Sequence, residues 1–512
     1  MVRHGFLTIL VALVAAGQVQ AQDVAVGEPP LSAIPWLTES LANPPPQPLP
    51  DEPAIARNAG IEAIAISQIG GTLPDAVGLL PPSISGLAPD LWGPGTTQDL
   101  VSALARDPGD MVPALQDLRK RLLLAELDPP SDGGPKGVLF QARVDQLIGI
   151  GALDETLALL DRAGPLTPEL FPRYFDVALL TGSEDRACEG LKNTPALQPT
   201  YPVRIFCLAR TGDWQGAVLT LTTARALGLT TELDDALLAR FLDPVLFEGE
   251  ELPPLPSQVT PLIFRLLDAV DTPLATTDLP RAFAFTDLEQ TRGWKAQIEA
   301  AERLVRAGAI DPARLIALYT EQRPAASGGI WDRAAALQAV EAALDDPEAL
   351  SSALETAWDQ MTDAGLTPVL SDFVNGRISP EDLHGDAQHI AWKLAMLGPG
   401  YEAFALDHRA VSREEGLYVA IARGQSAGTS ETPLERAVLA GFASRTLPER
   451  LKPLVDEGRK GESVLEAMAM ITAGRAGDLA RLTDGLAGLR ALGLESVARR
   501  AALETLILGP AG

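Results

Sequence analysis

The 512-residue chain has little of what most enzymes use. It holds two cysteines and four histidines, and aromatic residues make up only 5% of it. No Gly-x4-Gly-Lys-Ser/Thr run and no strand-borne Gly-x-Gly-x-x-Gly occurs, which excludes the common phosphate- and dinucleotide-binding loops. No segment alternates apolar and polar residues over a strand length between turn signals, so little or no sheet is expected. Basic charge is in deficit too: the formal net charge is -27. Such a field repels nucleic acid and anionic lipid headgroups, so neither is an expected partner. Beyond residue 21 no uninterrupted apolar run approaches the roughly 20 residues that a membrane-crossing helix needs.

What is present begins with an export address. Arg3 precedes an apolar stretch over 6–16, and Val19-Gln20-Ala21 offers the small residues a secretory peptidase favours. Residues 1–21 therefore read as a signal peptide cleaved before Gln22, with no cysteine there to be acylated. The expected location is the periplasm of a Gram-negative cell, with no direct membrane insertion after cleavage. Residues 22–53 are crowded with proline, including Pro44-Pro45-Pro46, Pro48, Pro50 and Pro53, and read as a semi-rigid linker.

Small apolar residues dominate the rest. An apolar fraction of 46% is ample for a core, and Ala and Leu supply most of it, which suits closely packed helices. From Thr96 onward one start signal recurs: a short polar residue, then a proline at the first helical position. Thr167-Pro168, Thr260-Pro261, Asp311-Pro312, Asp346-Pro347, Ser379-Pro380 and Thr432-Pro433 all follow it. Ser379 with Asp382, Thr432 with Glu435 and Ser412 with Glu415 have capping-box spacing. Gly228, Gly308, Gly365 and Gly493 stand where helices should end. The fold class is therefore all-α: an array of helical hairpins, an α-solenoid, preceded by the proline-rich tether. The acidic, proline-rich stretch 248–258 divides it into an amino-terminal region, 54–247, and a carboxyl-terminal region, 259–512, or is spanned by one continuous stack. Within 54–94 one helix over 61–69 and then irregular chain laid over the first hairpins are expected.

One internal similarity is specific. Thr211-Gly212-Asp213-Trp214 is followed by Arg225-Ala226-Leu227-Gly228-Leu229, and Ala476-Gly477-Asp478-Leu479 by Arg490-Ala491-Leu492-Gly493-Leu494, with the same Asp-to-Arg spacing. Each copy reads as an Asp-capped helix closed by glycine. Trp214, Val218 and Leu221 in one copy, and Leu479, Leu482, Leu486 and Leu489 in the other, form apolar stripes at helical spacing. The segment 201–229, with Arg210-Thr211-Gly212-Asp213-Trp214-Gln215-Gly216-Ala217 at its hairpin turn, resembles tetratricopeptide-like α-solenoids. That resemblance implies a superhelix that binds proteins or peptides on a concave face.

Candidate chemistry is sparse. Cys188 and Cys207 fall on apparently consecutive helices of an exported chain, where pairing is favoured, so a disulfide across one hairpin is expected. His384, His389 and His408 cluster with acidic residues, but a five-residue step puts His384 and His389 about 140° apart around a helix. They read as helix-end or surface histidines, not metal ligands. Gly424-Gln425-Ser426-Ala427-Gly428 matches a nucleophile elbow in letters only, since a helix precedes it and no histidine follows. Glu495-Ser496 supplies the first pair of a lytic-transglycosylase signature without its continuation. No catalytic, cofactor or metal residue is therefore nominated. The expected function is a non-enzymatic adaptor or scaffold for an envelope protein or peptide. The alternative is a cell-wall enzyme or accessory factor with unrecognised active residues.

Overall fold

A computed structural model describes residues 73–106, 109–246, 251–444 and 446–509. The signal peptide, the proline-rich linker and the helix expected over 61–69 lie outside them. All described residues belong to one compact unit. Among them there is helix but no strand; a single isolated bridge pairs Leu80 with Ala125.

The helices run in order as α1 (Thr97–Ala105), α2 (Pro113–Leu124), α3 (Val138–Ile150), α4 (Leu153–Ala163), α5 (Phe171–Thr181), α6 (Glu184–Asn193), α7 (Tyr201–Arg210), α8 (Trp214–Ala226), α9 (Glu232–Leu242) and α10 (Pro261–Ala269). After a 3-10 run, Arg281–Leu288, come α11 (Trp294–Val305), α12 (Pro312–Glu321), α13 (Ile330–Ala343), α14 (Pro347–Asp363), α15 (Thr367–Val374) and α16 (Gly385–Leu397). The last six are α17 (Tyr401–Asp407), α18 (Arg413–Ala422), α19 (Pro433–Ala443), α20 (Lys460–Arg475), α21 (Leu479–Ala491) and α22 (Glu495–Leu508).

Local signals place most of these boundaries. Thr260, Asp311, Asp346 and Thr432 each accept an amide proton from the first turn of the helix they precede, and Thr432 with Glu435 completes the capping box. Gly228, Gly308, Gly365 and Gly493 all adopt positive φ at helix ends, as a left-handed terminator requires. Two signals are displaced. Thr167-Pro168 starts a turn, not a helix, and α5 begins only at Phe171. Ser379 caps a single 3-10 turn, Pro380–Asp382, without the return bond that a capping box needs.

Three helices gain an acceptor from a distance, α1 in addition to its own Thr96 cap. Asp75 accepts from the Phe140 amide at 2.7 Å, supplying α3 with the acceptor that Gly137 lacks. Asp132 accepts from Thr97 at the start of α1 at 2.8 Å. The third is Glu504, whose carboxylate accepts from Ala114 in the first turn of α2 at 2.7 Å, where Val112 has no side-chain acceptor.

Residues 73–94, expected as irregular chain, also hold a 3-10 turn, Pro74–Ala76, packed on α3, and one helical turn, Pro82–Ser85. Their anchor is Arg143, fully buried, whose guanidinium donates to the carbonyls of Leu123, Ala125, Asp75 and Val77. Burial pulls its pKa down to about 10, offset in part by the Asp75 carboxylate, and leaves it protonated at neutral pH.

Neighbouring helices pack pairwise through most of the chain, and α10 packs on both α9 and α5 across the 251–258 stretch. The two ends of the described chain also meet. Helix α1 packs on α20 and α2 on α22. Arg475 donates to Asp110 at 2.9 Å, Arg106 pairs with Glu466 at 2.8 Å, and Gly461 donates its amide to Leu91 at 2.8 Å. Helix α20 is consequently buried on nearly every face. Between α2, the α11–α12 turn, the α14–α15 turn and α22 lies a cavity of about 840 Å³.

Candidate interaction surface

The cysteines are joined. Cys188 on α6 and Cys207 on α7 form a disulfide with Cα atoms 4.8 Å apart, and both are buried. Ser183 stands at the N-cap of α6 but makes no side-chain cap bond.

The structure brings two of the three histidines, His389 and His408, to one tryptophan. His384 is the N-cap residue of α16 and His408 follows the last residue of α17, so both are helix-end histidines. His389 lies 3.2 Å from Glu414, and His408 lies 2.8 Å from Glu415. Both rings contact Trp392, with centroid separations of 6.0 and 5.9 Å. Among the described residues no group of three or more His, Cys, Asp or Glu is arranged to hold a metal ion. Ser426 lies exposed in the loop between α18 and α19. Glu495 begins α22 and accepts from Arg490 and Arg499 at 2.8 and 3.0 Å.

The feature that sequence reasoning missed is an unburied apolar face. Trp214 and Val218 were expected inside a stripe with Leu221, yet Trp214 is 48% exposed and only Leu221 is buried. Helix α8 packs chiefly on α7 and α9, and these two neighbours occupy the side carrying Ala217, Leu221 and Ala224. Leu219, on the far side, is 69% exposed, and Trp214 and Val218, on the flank beside Leu221, are left about half exposed. Leu227 and Leu229 continue the exposed set past the end of α8, and Val245 and Leu246 follow the end of α9. Isolated exposed leucines need no explanation, but concentration on two consecutive helices and the turns that follow them does.

Behind this face runs a groove of about 940 Å³ between α5, α7, the start of α9, α10 and residues 253–258. Phe171, Phe175, Val203 and Leu233 make it apolar, and Pro172, Pro199, Pro202, Pro253, Pro254 and Pro256 stiffen its walls. A run of aromatic contacts connects groove and face. Phe171 meets Phe175 at 6.0 Å, Phe175 meets Phe206 at 6.0 Å, Phe206 meets Phe241 at 5.5 Å and Phe241 meets Trp214 at 6.2 Å. Asp176 also lines the groove. Its carboxyl has no hydrogen-bond or ion-pair partner among the described residues, and burial pushes its pKa up to about 6 against the weaker pull of Arg173.

The cavity between the chain ends is a different environment. Its charged groups largely satisfy each other: Arg475 with Asp110, Arg500 with Asp117 at 3.4 Å, and Lys120 with Glu155. Glu504 is 3% exposed there, and burial drives its pKa up to about 7 despite Arg500 and the Ala114 amide, which pull it down.

No family model matches this chain, and neither a curated protein nor a solved structure does. Among the described residues no helix is long and apolar enough to cross a membrane.

Proposed function

We propose that this protein is a periplasmic adaptor that binds a partner protein of the cell envelope through the exposed apolar face of α8 and its flanking turns. The observation that carries this reading is the group of Trp214, Val218, Leu219, Leu227, Leu229, Val245 and Leu246, all large, apolar and exposed within the stretch 214–246. Covering a single exposed leucine is worth about 1.5–3 kcal/mol. An uncovered set of this kind costs solubility and is otherwise without structural purpose.

Two further features support it. The Cys188–Cys207 bridge holds α6 to α7 directly beneath α8, and such a bridge persists in oxidising compartments. The first 21 residues have the composition of a secretory signal.

The test is a photo-crosslinking residue placed at Val218 or Leu219 in the full chain, made in its native host. A discrete protein adduct is expected from both positions and not from the exposed Glu355 of α14. Equal labelling from all three, or no protein adduct at α8 in cells that export the chain, would overturn the reading.

A further inference from the structure

The groove behind α8 has a chemistry more specific than the face itself. Its apolar and proline walls would suit many occupants, but its charge would not. The ionisable residues lining it are Asp176, Glu232 and Asp234, with no arginine, lysine or histidine among them. Asp234 is committed to capping α9 through Thr231. Arg173, the cation closest in sequence to Asp176, donates to both oxygens of Asp145 at 2.6 and 2.8 Å and to Gln141 at 2.9 Å. Asp176 is thus left half-buried on an apolar wall with no hydrogen-bond or ion-pair partner among the described residues, a position where a cation would be attracted.

The groove is also open along its length. Thr200 and Gln258 place polar side chains on its rim, and Leu229, one of its lining residues, belongs equally to the exposed face. Proline at so many wall positions removes amide donors, leaving backbone carbonyls and these side chains to meet an occupant. Such a slot fits an extended chain better than a compact molecule.

We propose that this groove binds an extended segment of the partner protein bearing one lysine or arginine flanked by apolar or proline residues, with the cation paired to Asp176. The inference rests on the adaptor reading and names the partner's contacting chemistry. A cationic segment is drawn to a chain of net charge -27 in any case. The half-buried carboxylate converts that general attraction into a register, because only one position along the segment can meet it.

The probe is a phage-displayed library of random octapeptides, selected on the immobilised full-length protein. Expected is enrichment of lysine or arginine at one position beside apolar or proline residues, and loss of that preference with Asp176→Asn. A selected peptide should bind at least tenfold more tightly than its analogue with norleucine in place of the basic residue. That comparison uses the unaltered protein, so it stands even if the variant fails to fold. With Asp176→Asn the two peptides should bind equally, whereas Asp484→Asn, on the far hairpin, should preserve the difference. Selection without a basic preference, no selection at all, or a preference that survives Asp176→Asn would overturn the proposal. Those results leave crosslinking from Val218 and Leu219 untouched; conversely, an Asp176-dependent preference without crosslinks would sink the α8 face alone.

Discussion

Helices α8 and α21 carry the same signature and have opposite fates. Both follow a Gly-Asp turn, both are capped by that aspartate, and both end in Arg-Ala-Leu-Gly-Leu. Yet Leu482, Leu486 and Leu489 of α21 are fully buried between α19, α20 and α22, while α8 has chiefly α7 and α9. The difference sits at two aligned positions. Gly485 and Gly488 of α21 stand where Thr220 and Thr223 stand in α8. A Cβ at Gly485 would lie 2.6 Å from Ile471 Cγ1 and 2.8 Å from the Ala467 carbonyl; one at Gly488 would lie 2.4 Å from Leu451 Cδ1. Glycine there is what lets neighbours close on α21. In α8 the threonines occupy that space and turn inward on their own helix, Thr220 donating to Gly216 at 2.6 Å and Thr223 to Leu219 at 2.8 Å. A repeat signature therefore fixes the turn and the cap. Whether a second layer covers the helix depends on residues outside the signature.

The strongest way to break the comparison is to give α21 the side chain of α8. Gly485→Thr should cost about 3 kcal/mol or more through overpacking against α20, and thermal melts should show it as a lowered Tm. Next is the disulfide, which holds the pair beneath α8 where packing is one-sided. Replacing Cys188 and Cys207 with serine should cost about 3 kcal/mol on the chain-entropy account, and hydrogen exchange should rise in α6 to α8 but not in α21. A pH series sharpens the contrast further. Because the folded-state pKa of Glu504 is raised to about 7, its contribution to stability is present below the unfolded carboxyl range and declines as pH rises toward 7. Glu504→Gln should flatten that decline in α2 and α22 and leave exchange in α8 unchanged. The smallest effect is expected at the exposed face: Leu219→Asp should alter stability by no more than about 0.5 kcal/mol, measured by denaturant titration.

Much of the architecture was readable because it is written locally. Proline after a short polar residue, and glycine where φ turns positive, act within one turn of helix, so Thr260, Asp311, Thr432 and Gly493 could be assigned from neighbours alone. The Cys188–Cys207 pairing followed from two helices adjacent in sequence. The groove and the face were not readable, since periodicity makes Trp214 and Val218 look like core. The signal that separates them is the exchange of Gly485 and Gly488 for Thr220 and Thr223, and its meaning appears only once α19 and α20 are seen to cover α21. Asp176 carried no signal at all, because its isolation depends on Arg173 being turned toward Asp145. Distant capping was equally hidden: nothing near Val112 announces that Glu504 will serve α2.

That last contact joins residues 390 positions apart and sets the order in which the molecule can be completed. In an open row of repeats each hairpin can consolidate on the one before it, and growth may start anywhere. Here α2, among the first helices made, waits for the last to supply its missing acceptor. The entropy of closing so long a loop grows only logarithmically with length, so the delay is one of synthesis more than of stability. A ribosome or secretion channel that releases the chain before residue 504 leaves an early helix end uncapped and its surroundings open to other unfinished copies. Folding of this chain is thus gated by its own carboxyl end, and a truncated product should be recognised by proteases as unfinished throughout the first hairpins rather than frayed at the cut.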